Sequence, residues 1–178
     1  FSHIEVYMAF HSGPGVFFQV IVGDEQFGNN QKYPTKLYRG DGLQLFITRG
    51  RPGEIVGGSM WYIADHDEHG PTAYHISQWP DQDLAEGLME IPLVIEYDED
   101  KKQIVYEFML PWEAIGLPAP WYDDLCVDLA VADGDEYSGG GFKGAAWHHG
   151  YESVAKDGIF YAPKPRSQAC QWLRFGAG

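Results

Sequence analysis

The sequence has 178 residues, and its 12 Lys+Arg set against 26 Asp+Glu give a formal charge of -14. That length fits one domain over residues 1–178, and a 44% hydrophobic content with no run of about 20 apolar residues excludes both a disordered tail and a membrane-spanning helix. The acidic excess has no basic cluster to offset it, which excludes nucleic acid as a partner, since that affinity comes from Lys and Arg neutralising phosphates.

Apolar and polar residues alternate with period 2 along most of the chain, and no segment keeps a helical period for three turns. The predicted strands, in order, are Ile4–Phe10, Val16–Val22, Leu43–Thr48, Ser59–Ile63, Ala73–Ser77, Leu93–Tyr97, Gln103–Leu110, Leu125–Ala132, Gly144–His148 and Cys170–Phe175. About ten short strands in one domain predict an all-β fold, a β-sandwich of jelly-roll or immunoglobulin-like type. The polar run Asp98–Lys102 between two β-rich segments predicts a hairpin. After it, Pro111 to Pro118 allows at most one helical turn, because Gly116 and Pro118 stop its continuation. The 22 Gly, 11 Pro, 10 Phe, 6 Trp and 11 Tyr suit such a turn-rich, aromatic-rich β protein. Phe1 is not an initiator Met and no signal sequence precedes it, which predicts a processed product or an excised module. Cys126 and Cys170 can form one disulfide or stay as two buried thiols.

No linear signature of a nucleophilic elbow, a phosphate loop, a redox dithiol or a zinc protease is present, and the chain reads as non-catalytic. A lyase or hydrolase using paired carboxylates is an alternative without a linear signature. The run Ala64–Gly70 starts like a calcium loop, with Asp65 and Asp67 at positions 1 and 3 and Gly70 at position 6, but Ile76 stands where an EF-hand has its bidentate Glu. A second oxygen-rich turn holds Asp133 and Asp135. These four acids are the calcium candidates, while Met8, Met60, Met89 and Met109 keep b-type haem as another alternative. Aromatic rings at strand ends and loops suit a saccharide, whose C–H faces stack on them while polar side chains fix its hydroxyls. Tyr38, Trp61, Trp147 and Tyr151 are such rings, His148 is a polar candidate, and Trp112 and Trp172 read as core.

Three segments in order resemble carbohydrate-binding module family 9. They are Phe18–Asp24 followed by Leu37-Tyr38-Arg39-Gly40-Asp41-Gly42-Leu43-Gln44-Leu45-Phe46-Ile47, then Val105–Gly116 with its Leu-Pro-Trp turn, then Leu129–Asp135 with Ala146-Trp147 beyond. The resemblance implies a sugar-binding β-sandwich with bound calcium, a lectin-like accessory module of a secreted polysaccharide-degrading enzyme or a surface protein, placed extracellularly or in the periplasm. It implies that Tyr38 is a stacking ring, that Gln44 on the next strand binds hydroxyls, and that Trp61 lies near a sugar-binding position. The alternation Leu43, Leu45, Ile47 against Gln44, Phe46, Thr48 separates a core face from a ligand face. At -14 the surface repels acidic polysaccharides, which makes a neutral glycan the expected ligand.

Overall fold

A computed structural model describes residues 3–11, 13–28, 37, 40–49, 57–76, 86–116, 125–133, 143–146 and 171–173. Among these residues eleven strands form, β1 (Ile4–His11), β2 (Gly15–Gly23), β3 (Gly42–Arg49), β4 (Gly57–His66), β5 (Gly70–Ile76), β6 (Gly87–Met89), β7 (Leu93–Asp98), β8 (Gln103–Pro111), β9 (Leu125–Asp133), β10 (Lys143–Ala146) and β11 (Gln171–Leu173). All pair antiparallel. One sheet has the order β1-β2-β8-β7; the other runs β10-β9-β3-β4-β5-β6, with β11 pairing the opposite end of β9 from β10. The expected all-β sandwich is the fold found. Each of the ten anticipated strands overlaps an observed one, and the extra element is β6, three residues long.

The inward phase of each strand meets in one core between the sheets. Val16, Phe18, Val20 and Val22 of β2 and Ile104, Tyr106, Phe108 and Leu110 of β8 face Leu43, Leu45 and Ile47 of β3, Trp61 and Ile63 of β4 and Leu129 and Val131 of β9. Trp112 is fully buried in that core, as its sequence context implies. The 3-10 turn Glu113–Ile115 then closes one end, and Gly116 stops it in a left-handed conformation (φ 72°) that favours glycine. In the β7–β8 hairpin, Asp98 accepts hydrogen bonds from the Asp100 and Lys101 backbone N–H groups at 3.1 and 3.0 Å, and the Lys101 ammonium lies 2.9 Å from its carboxylate. The Lys101 contact accordingly holds the Asp98 carboxyl below its ordinary range.

The expected separation of a core face from a ligand face on β3 does not hold. The second face of the large sheet is buried too, in a cluster of Leu37, Phe46, Met60, Tyr62 and Ala64. A strand covered on both sides is apolar in both phases, and Met60-Trp61-Tyr62-Ile63-Ala64 has that pattern.

Gly15 opens β2 with φ 151° opposite Pro111, where an added Cβ would overlap the backbone carbonyl of Leu110. Gly15→Ala is therefore expected to lower stability by at least about 2 kcal/mol, read as a fall in the urea midpoint.

Candidate functional site

The four-stranded sheet turns its other phase outward. Register aligns Tyr7 of β1, Gln19 of β2, Glu107 of β8 and Val94 of β7 in one row across all four strands. The adjacent row holds Ala9, Phe17 and Met109. Apolar groups gathered contiguously on one exposed face mark a candidate binding surface. Tyr7 is 53% exposed, Phe17 40% and Val94 47%. They border a recess of about 420 Å³ that also reaches Leu93 and Met109. Beneath it, Phe18 and Phe108 stack at 4.9 Å with 12° between their planes, giving the face a rigid floor.

The polar groups on this face are oriented by neutral donors. Gln19 donates from Nε2 to Glu107 Oε1 at 2.6 Å, and the Tyr7 hydroxyl donates to Glu5 Oε2 at 2.6 Å. The hydrogen bond to Glu5, with the charge of that carboxylate, raises the Tyr7 phenol above its ordinary pKa, so the ring stays neutral. Flat rings beside oriented hydrogen-bonding groups can stack the apolar side of a ligand and hold its hydroxyl or amino groups. A second recess of about 490 Å³ lies among His69, Thr72, Leu88, Glu90 and Leu93, but its lining holds no Phe, Tyr or Trp.

Trp61, expected as an exposed stacking ring, is 0% exposed. It shares the inward phase of β4 with Ile63, donates from its indole N–H to Ser59 Oγ at 3.0 Å, and packs against the His75 ring at 4.8 Å. Gln44, expected to bind hydroxyls, is buried at 2% exposure on the covered face of β3. Neither reaches a ligand from solvent. Tyr38, Trp147, His148, Tyr151 and Asp135 lie outside the described residues, as does the side chain of Asp133, whose backbone ends β9.

The Asp65–Gly70 run is the β4–β5 hairpin turn, closed by the His66–Gly70 pair with Gly70 at φ 68°. His66 folds back to accept the Glu68 N–H at 3.1 Å and stacks on His69 at 4.6 Å. Asp67 is exposed at the tip and Asp65 is half-buried on β4. Among the described residues, no three His, Cys, Asp or Glu side chains converge in a group able to hold a metal ion. The same end of the sandwich carries two buried acids not anticipated from sequence, Asp24 and Asp41, at 5% and 1% exposure. Both brace loops: Asp41 accepts the Gly28 N–H and Asp24 accepts the Gln26 N–H. Burial raises the Tyr106 phenol well above its usual pKa, and the charges of Asp41, Asp24 and Asp65 add to that shift. The methionines are dispersed, with Met60 in the second cluster, Met8 and Met89 against the main core and Met109 on the outward face.

Tyr7, Phe17, Gln19 and Glu107 were not among the residues the sequence singled out. Their signal was phase. In Ile4-Glu5-Val6-Tyr7-Met8, Tyr7 shares the phase of Glu5, and of the adjacent Phe17 and Phe18 only one can face the core. Comparison with known proteins finds no matching family model, curated relative or solved structure.

Proposed function

We propose that this domain is a non-catalytic carbohydrate-binding module that holds a polysaccharide on the outward face of the β1-β2-β8-β7 sheet. The observation that carries the reading is the pair of uncovered rings, Tyr7 and Phe17, beside the hydrogen-bonded Gln19–Glu107 pair. The rings sit on neighbouring strands as diagonal neighbours in the register, a spacing of about 7–8 Å, over the stacked Phe18 and Phe108 rings. The family 9 resemblance of the sequence agrees with this class, with the ligand on a different sheet from the one that resemblance implies. In this reading the domain is exported and serves a polysaccharide-degrading enzyme or a surface glycan-binding protein.

The test is retention on a panel of insoluble polysaccharides and a glycan array. Tyr7→Ala and Phe17→Ala are each expected to weaken retention about tenfold while leaving the thermal midpoint within a few degrees of native, because both rings are already largely exposed. Native protein that retains no polysaccharide overturns the proposal.

Calcium enters this reading as a structural ion. Strands β4 and β9 flank β3 and bring Asp65 and the end residue Asp133 level with Asp41 at one end of the large sheet. Chelation is expected to lower the melting temperature while glycan retention at room temperature persists, because that end lies on the other sheet from the proposed face. Scanning calorimetry with and without chelator checks it; an unchanged midpoint removes the ion from the account.

A further inference from the structure

We infer that the glycan held on this face carries free amino groups, a polymer of the glucosamine type, in preference to neutral or acidic chains. The inference rests on the carbohydrate reading above and adds charge to it. Outward strand positions of the small sheet include Glu5, Glu96 and Glu107, and none of those with described side chains is Lys or Arg. Lys101 is held by Asp98 in the β7–β8 turn. At the recess the exposed Glu107 carboxylate is oriented by a neutral amide, with Gln19 donating to its Oε1 at 2.6 Å. Glu5 is oriented by the Tyr7 hydroxyl and has His3 at 3.9 Å.

An ammonium suits this arrangement in two ways. It pairs with Glu107, and it is attracted to the negative face of the Phe17 ring on the adjacent strand β2, with Tyr7 one strand further on the same side. A neutral sugar would partly desolvate Glu107 without compensating its charge, and a uronic acid would meet like charge there. The charge of -14 adds long-range attraction for a polyamine chain.

Isothermal titration of the native protein with a four-sugar β-1,4-glucosamine oligomer, its N-acetylated counterpart and the matching glucose oligomer tests this at slightly acid pH and low salt. The amino oligomer is expected to bind about tenfold tighter than either of the others, an advantage that shrinks as salt rises. Glu107→Gln keeps the side-chain shape and is expected to remove most of that advantage, so that the amino and glucose oligomers bind with similar affinity. Equal or tighter binding of the acetylated or glucose oligomer overturns the amino-glycan inference and leaves the carbohydrate reading intact. A preference that survives unaltered in both Glu107→Gln and Phe17→Ala is diffuse attraction to net charge and overturns it equally. No binding of any oligomer or polysaccharide overturns both.

Discussion

Trp61→Ala is expected to destabilise the domain by about 3–5 kcal/mol, the range for truncating a fully buried large aromatic. The indole lies at 0% exposure between Leu45 on β3 and His75 on β5, on the side of the large sheet that meets β2 and β8. Its removal leaves a cavity bounded by two packed sheets that cannot collapse far, and it deprives the buried Ser59 hydroxyl of its donor. Domains of this kind are stable by only about 5–15 kcal/mol, so the variant is expected to be partly unfolded near physiological temperature. Trp61→Phe, which keeps a ring and loses the N–H, is expected to fall between native and Ala. Guanidinium unfolding separates this from a role in ligand contact. A structural Trp61 shifts the midpoint and leaves the affinity of the surviving folded fraction unchanged, whereas a stacking Trp61 leaves the midpoint in place and abolishes retention. The same comparison at Tyr7 has the opposite expected outcome, because that ring is 53% exposed.

The contrast between Trp61 and Tyr7 also marks what the sequence reveals. Architecture is legible because the period-2 alternation imposed by the pleat survives in the strands of the small sheet, and because the β7–β8 turn is five polar residues between two β-rich runs. Strand β6 is not, since Gly87–Met89 is too short to alternate and owes its conformation to pairing with β5. The site is harder to read, because an aromatic residue type says nothing about which face it takes. Trp61 was assigned to a ligand by its resemblance position, yet it stands in the unbroken apolar run Met60–Ala64, which signals cover on both sides. Tyr7 and Phe17 carry the complementary sign, a ring in the phase of Glu5 or Gln19. The acids Asp24 and Asp41 lie just beyond strand β2 and just before strand β3, where an acidic residue reads as a solvated turn. Their burial, at 5% and 1% exposure, belongs to the tertiary fold and leaves no mark in the local sequence.

Reduction of the disulfide is expected to cost about 4 kcal/mol. Cys126 on β9 is disulfide-bonded and 1% exposed, and the sequence contains one other cysteine, Cys170, immediately before β11. The bond therefore closes a loop of about 45 residues, and withholding that much freedom from the unfolded chain is worth about 4 kcal/mol in the chain-entropy account. It also acts where pairing is thin. Strand β11 meets β9 over three residues, Gln171–Val127, Trp172–Cys126 and Leu173–Leu125, and a ladder that short depends on a tether to keep its register. Three consequences are measurable. The denaturant midpoint falls on reduction; the slope rises, because an untethered chain exposes more surface when unfolded; and a Cys126→Ala, Cys170→Ala double variant behaves like the reduced protein. Since Cys126 is buried, reductant added to folded protein is expected to act only as fast as the strand opens, so thiol release should accelerate steeply in mild denaturant. A reduced protein with the native midpoint would remove the bond from the stability account. A bond of this worth is retained in oxidising surroundings and lost to cytosolic thiols, and in a reducing compartment the domain would stand on what remains of a small margin.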